Sequence, residues 1–203
     1  TKSPVNSGYY SYTANVGNEK IVALTFDDGP WPNTTQEMLD ILNQNGAHAT
    51  FFVLGNQVEE RSEIVKKLYD AGNQIATHNY DHADGSGKGV NITYMSSQEQ
   101  IKDVEKGFAA IDNAVGAKVN RVFRAPGGNY YGSAIETLHP YVTAEIGWDV
   151  DTEDWRKPGA DVIAQRIMSA QPGDIILMHD GGGDRSQTVE ALKIALPTMV
   201  QQG

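Results

Sequence analysis

The sequence has no cysteine. Disulfides and thiolate metal sites are thereby excluded, and any metal must take His, Asp or Glu ligands. Basic residues are scarce: 16 Lys and Arg stand against 26 Asp and Glu, a formal net charge of -10. That disfavours a nucleic-acid binder, which needs a basic footprint, and docking on an anionic membrane face. An anionic polymer stays open as a substrate, because local charge can differ from the sum. No apolar run is long enough for a transmembrane segment, and none follows the opening Thr1-Lys2-Ser3-Pro4 as a signal peptide would. A start of this kind, without Met, reads as a processed or trimmed domain. What is present is ordinary: 203 residues, 39% apolar and 21% charged, enough for one domain with a full core.

Residues 1–18, rich in Ser, Gly, Asn and Tyr, read as an irregular lead-in. Beyond them, short apolar and β-branched runs predict strands at 21–26, 49–54, 75–77, 122–123, 146–150 and 175–178. Apolar residues at helical spacing predict helices at 34–45, 57–71, from Ser96 or Ser97 to 115, and at 131–138, 160–170 and 188–200. Residues 83–95 are a glycine-rich loop. The repeated order of strand, polar loop and helix predicts βα units with parallel strands. An open doubly wound sheet and a closed barrel compete. No Gly-rich dinucleotide fingerprint follows any strand. His, Asp and Arg recur at the C-terminal strand ends, which in a barrel converge on one mouth. The expectation is an α/β fold, a distorted (β/α) barrel of about seven parallel strands, since the chain is short for a full eight-unit barrel.

Several of these strand ends carry chemistry. Asp27 and Asp28 directly follow an apolar strand, where adjacent carboxylates repel unless a cation or proton intervenes. They read either as a helix-capping turn or as a platform for a base and a metal ligand. His78 and His82 form an H-x-x-x-H pair: two surface histidines, or, with Asp28, the two-imidazole, one-carboxylate set of a catalytic zinc site. His179 ends the very apolar run 175–178, either as a core histidine satisfied by Asp180 or as a proton donor at the barrel mouth. His48 and His139 have no such setting and read as structural and turn residues. Arg124 needs an anionic partner, for which Asp27 is a candidate, and Gly127-Gly128 leaves backbone N–H groups unshielded. Asp149, Asp151 and Asp154 cluster with Trp148 and Trp155; Asp151 or Asp154 can orient His179, and an exposed tryptophan can stack on a sugar ring.

Five segments in order resemble the motifs of the polysaccharide deacetylase family. They are Thr25 to Pro30 (TFDDGP), His78 to His82, Arg124 to Gly128, Asp151 to Trp155, and Leu177 to His179. The resemblance spans roughly 21–200. The family comprises Nod-factor deacetylase-like carbohydrate esterases, among them chitooligosaccharide, chitin and peptidoglycan deacetylases and some acetylxylan esterases. The resemblance implies that Asp27 is the base, held by Arg124, and that Asp28, His78 and His82 bind one divalent ion. Zinc is the default, though cobalt or another divalent metal suits an N/O site. It further implies His179 as the acid, tuned by Asp151 with Asp154 as the alternative, and Gly127 as a backbone oxyanion donor. Trp155 would line the groove and Leu177 would hold the acetyl methyl. The family often has an aromatic residue where Gly127 stands, a wall that Tyr130 or Tyr131 would replace. Asn79 and Ala83 also depart from the family's usual residues.

The implied activity is metal-dependent N-deacetylation of N-acetylglucosamine residues in a cell-wall polysaccharide, peptidoglycan or a chitooligosaccharide. The enzyme would work outside the cell or at its envelope, as a monomer, with residues 19–203 as the catalytic domain. The alternatives are a carbohydrate O-deacetylase such as an acetylxylan esterase, with the same machinery, and a non-catalytic glycan-binding module lacking part of it.

Overall fold

The computed structural model describes residues 2–4, 10–12, 16–82 and 91–203. The lead-in is less irregular than expected: β1 (Lys2–Pro4) and β2 (Tyr10–Tyr12) pair antiparallel. The Tyr-Ser-Tyr of β2 has the strand propensity that the surrounding Gly and Asn obscured.

The remaining strands are β3 (Ala23–Asp27), β4 (Thr50–Val53), β5 (Gln74–Thr77), β6 (Val122–Phe123), β7 (Ala144–Glu145), β8 (Val150–Asp151) and β9 (Ile175–His179). They form one seven-stranded sheet in the order β7-β6-β5-β4-β3-β9-β8, and every pairing is parallel. The sheet curls into a half-barrel with helices packed on it, the distorted (β/α) barrel that the sequence predicts. Among the described residues no ladder joins β7 to β8.

The strand alternation sorts side chains between two faces. Leu24, Phe26, Phe51, Val53, Ile75, Ile176 and Met178 belong to the main core. There they meet helices α1 (Thr34–Gln44), α3 (Ser62–Asp70), α6 (Ala160–Met168) and α7 (Ser186–Gln201). Each such side chain contributes about 1.5–3 kcal/mol when fully buried. The intervening positions Thr25, Asp27, Phe52, Ala76, Leu177 and His179 share the opposite, inner face through the ladder register. A smaller cluster (Ile92, Val104, Phe108, Phe123, Ala125, Leu138) lies under α4 (Ser97–Val115) and α5 (Ser133–Leu138). Helix α4 starts at a capping box between Ser96 and Glu99 and ends at Gly116, whose φ is 74°.

Two elements differ from the sequence reading. The single helix predicted at 57–71 is two, α2 (Gly55–Glu60) and α3, broken at Arg61 (φ -139°, ψ 47°). The break lets α2 pack on α4 while α3 turns Val65 and Leu68 into the main core. Of the strand predicted at 146–150, only Val150 is in a strand, as the first residue of β8; residues 146–149 lie between β7 and β8, where the Ile146 and Gly147 carbonyls accept from Arg124. Residues 83–90 of the predicted glycine-rich loop lie outside the described residues. Residues 92–94 of the same prediction form a short 3₁₀ turn (Ile92–Tyr94).

Candidate active site

The inner face carries its ionisable side chains at the C-terminal end of the sheet. Asp27 and His179 are direct neighbours in the β3–β9 ladder, so their side chains emerge side by side. Asp27 is buried, and its Oδ1 accepts from Arg124 Nη1 at 2.8 Å. Arg124 is fully buried. Nη1 also donates to Thr25 Oγ1 (2.8 Å), Nε to Ile146 O (3.0 Å) and Nη2 to Gly147 O (2.9 Å). Its guanidinium lies 4.1 Å from the Phe52 ring centroid. A buried cation is tolerable here because carboxylate, carbonyls and ring all meet it.

Asp28 follows with φ 78°, which turns it away from Asp27 and toward the loop after β5. Its Oδ1 lies 3.4 Å from His78 Nε2 and 3.2 Å from His82 Nε2. One ligand atom from each of the three lies within 4.8 Å of the others. Burial alone would raise the Asp28 carboxyl, but the two imidazoles hold it well below the usual carboxylate range. His78 Nδ1 donates to the Arg124 carbonyl at 2.8 Å, which leaves Nε2 as the ring nitrogen facing Asp28. Asp28 Oδ1 is buried without a hydrogen-bond donor. An orphaned carboxylate oxygen facing two imidazoles fits a divalent cation, and the donor set suits zinc. A cavity of about 410 Å³ opens beside it, bounded by Asp28, Trp31, Asp81, His82 and Gly182.

On β9, His179 Nδ1 is 2.7 Å from Asp154 Oδ1, while Asp154 Oδ2 accepts from the His179 N–H (2.8 Å) and from the Thr188 hydroxyl (2.9 Å). Burial would lower the imidazolium, but Asp154 overrides it, with smaller help from Asp28 and Asp27, and lifts the pKa from 6.5 to about 9. Nδ1 being held, Nε2 is the nitrogen free to work at the mouth.

The matching family model is that of the polysaccharide deacetylases, over residues 14–141. A peptidoglycan-N-acetylglucosamine deacetylase of Bacillus cereus is 38% identical over 201 residues, 97% of this chain and 89% of that protein. A chitooligosaccharide deacetylase of Bradyrhizobium sp. is 33% identical over 201 residues, 93% of this chain and 89% of its own length. The solved structure of the peptidoglycan deacetylase PdaC from Bacillus subtilis superposes with a TM-score of 0.80 at 32% identity, covering 92% of this chain and 86% of that one. The chain belongs to the polysaccharide deacetylase family. It is a hydrolase, and the bond it acts on is the N-acetyl amide.

Of the two carboxylates expected beside His179, the structure favours the alternative. The carboxylate against His179 is Asp154, not Asp151. Asp151 ends β8 at the sheet edge, exposed, with Oδ1 accepting the Glu153 N–H at 2.9 Å. Glu153 then takes a left-handed conformation (φ 49°), and the 3₁₀ turn Asp154–Arg156 aims Asp154 inward. Asp180 does not serve His179 either. It lies fully buried beneath Gly29, where a Cβ would run into it, and accepts from the Thr35 hydroxyl at 2.8 Å. Burial raises its pKa to about 7; the Thr35 bond offsets part, and the Asp28 and Asp27 charges add to the rise.

The groove residues separate. Trp155 is half exposed, with the Arg156 guanidinium 4.8 Å from its ring. Leu177 is buried on the inner face beside Thr25. Gly127 sits exposed in the 3₁₀ turn after Arg124 with φ 64°, a conformation that suits glycine. Tyr130 packs edge-on against Phe123 (5.5 Å) at the second core, which leaves Tyr131 as the exposed ring.

Thr25, Thr188 and Asp103 were missed by the sequence reading. Strand alternation puts Thr25 on the face of Asp27, so that residue was findable. Thr188 meets Asp154 across 34 residues. Asp103 on α4 accepts from Asn79 and Tyr80 in the histidine loop; burial raises it to about 6 against those bonds. No local signal marks either of these two.

Proposed function

We propose that this deacetylase removes the acetyl group from N-acetylglucosamine units of a cell-wall glycan outside the cell, with peptidoglycan as the polymer and chitooligosaccharides as accepted substrates. The observation that carries the reading is the adjacency of a base–acid pair, Asp27 and His179, to the Asp28, His78 and His82 triad. The relatives that act on peptidoglycan and chitooligosaccharides support the substrate class.

A divalent ion on Asp28, His78 and His82, zinc by preference, supplies Lewis-acid polarisation of the acetyl carbonyl and acidifies water. Asp27 accepts a proton from the attacking water, its carboxylate oriented by Arg124. The water oxygen adds to the carbonyl carbon, and the Gly127 N–H donates to the oxyanion that develops. His179 gives the Nε2 proton to the departing nitrogen as the C–N bond breaks, leaving acetate and a free amine. Asp154 keeps that imidazole charged and oriented. Leu177 receives the acetyl methyl, and Trp155 and Tyr131 flank the sugar chain.

Mass spectrometry after incubation with peptidoglycan fragments, chitooligosaccharides and acetylated xylooligosaccharides tests the reading. Loss of acetyl from the first two supports it. Loss from acetylated xylan alone overturns it in favour of an esterase, and loss from chitooligosaccharides alone rejects peptidoglycan.

The acid's setting gives a pH prediction. Replacing Asp154 with Asn removes the largest contribution that raises His179, while its burial stays. The basic limb of the kcat/KM profile should therefore move to lower pH in D154N and stay in place in D151N. The same pair stabilises the fold: the share from His179, with a folded-state pKa near 9 against the ordinary 6.5, is present below about pH 6.5 and lost as pH rises toward 9. The share from Asp154, whose buried carboxyl His179 holds below its ordinary value, is lost in acid. An unmoved limb in D154N would remove Asp154 from this role.

A further inference from the structure

Both imidazoles of the triad sit on one short loop, and the helix that grips this loop contributes no residue to the site. Asn79, next to His78, is fully buried with φ 71°, and His82 has φ 62°. Two left-handed non-glycine residues in five hold only where their surroundings fix them. On one side, the Gly55 and Asn56 N–H groups of α2 donate to the Asn79 and Tyr80 carbonyls, each at 3.0 Å. On the other, a single oxygen of Asp103 on α4 accepts from Asn79 Nδ2 (2.5 Å) and from the Tyr80 N–H (3.3 Å). Lys106 Nζ lies 3.6 Å from the Tyr80 ring centroid, and the Tyr80 hydroxyl donates to Glu59 at 2.8 Å. Gly107, one turn beyond Asp103, comes so near that a Cβ there would run into the Thr77 hydroxyl.

The geometry points to Asp103 as a positioning residue for the metal site: through Asn79 and the Tyr80 N–H it fixes the loop conformation that brings both Nε2 atoms onto Asp28. This rests on the metal reading proposed above. Asp103 touches none of the three ligands in any hydrogen bond it makes with the loop, so it acts by holding backbone, as outer partners of metal sites do. The role needs an acceptor oxygen and not a charge. Asparagine at 103 can offer the same oxygen to both donors, and alanine cannot.

The test is the affinity of the whole chain for Zn²⁺, measured by competition with a chromophoric chelator, for wild type, D103A, D103N, Asn79→Gly and D103A/N79G. Glycine at 79 takes the left-handed backbone freely, so it deletes the side chain without adding strain. D103A is expected to weaken binding by about 10–100-fold, with D103N close to wild type. N79G should weaken it as well, though less than D103A, which also loses the Tyr80 bond, and the double variant should be no weaker than D103A, since the Asn79 side chain acts through the Asp103 oxygen. Should D103A fail to fold, N79G reads the same contact from the loop side. Wild-type affinity in D103A and N79G, with or without a lowered melting temperature, overturns the proposal and leaves the metal reading intact. A wild-type chain that binds no Zn²⁺ overturns both.

Discussion

Turnover of the Asp27→Asn variant is expected to fall by about 10²–10⁴-fold while its metal content stays that of wild type. Asparagine has the shape of aspartate. Its amide oxygen can keep the bond from Arg124 Nη1 that Oδ1 now accepts at 2.8 Å, with the amide nitrogen in the place of Oδ2, 3.7 Å from His78 Nε2. What disappears is an oxygen basic enough to take a proton from water. Asp28, His78 and His82 are unchanged, so an ion held there stays. H78A is the control in which metal and turnover fall together. Steady-state kinetics on a chitooligosaccharide, beside metal analysis of the same preparations, separates the two. Turnover comparable with wild type would take the base role from Asp27. Loss of metal with turnover would place Asp27 among the ligands instead.

How much of this was legible beforehand depended on how far apart the partners lie. Strands β3, β5 and β9 are mostly apolar and each ends in a polar residue, and alternation then fixes which side chains look inward. Helix α4 was readable closely, as a helix from Ser96 or Ser97 to about 115, and the structure closes it with a capping box at Ser96 and a left-handed Gly116. The Asp27–Arg124 pair was readable as a need, since a buried Arg124 must find an anion.

Its carbonyl partners were not readable. Those bonds cross 22 and 23 residues and occupy the Ile146 and Gly147 carbonyls, although the Ile146 N–H still donates to the Phe123 carbonyl, so regular pairing lapses between β7 and β8. The choice between Asp151 and Asp154 was decided by the left-handed backbone of one glutamate, Glu153, which propensity does not favour. The grip of Asp103 on the histidine loop, 24 residues away, exists only once α4 has packed.

The second large effect concerns stability: Arg124→Met is expected to cost about 3–5 kcal/mol, because it leaves Asp27 as a buried, uncompensated anion. Arg124 has no exposed surface and makes bonds with Thr25, Asp27, Ile146 and Gly147. Methionine is near it in length and fills much of its space above Phe52, so the loss reports charge and hydrogen bonding more than a void. Urea unfolding should show a lower midpoint at unchanged slope. Lysine should not restore it, since one ammonium cannot serve Asp27 and two carbonyls in the planar fork that guanidinium offers. The D27N/R124M double variant makes the argument sharper. Each single change strands one buried partner, whereas the double removes anion and cation together, so its loss should be smaller than the sum of the singles. Additive losses would mean that Arg124 stabilises the fold through the carbonyls of Ile146 and Gly147 alone, and that its bond to Asp27 serves orientation only.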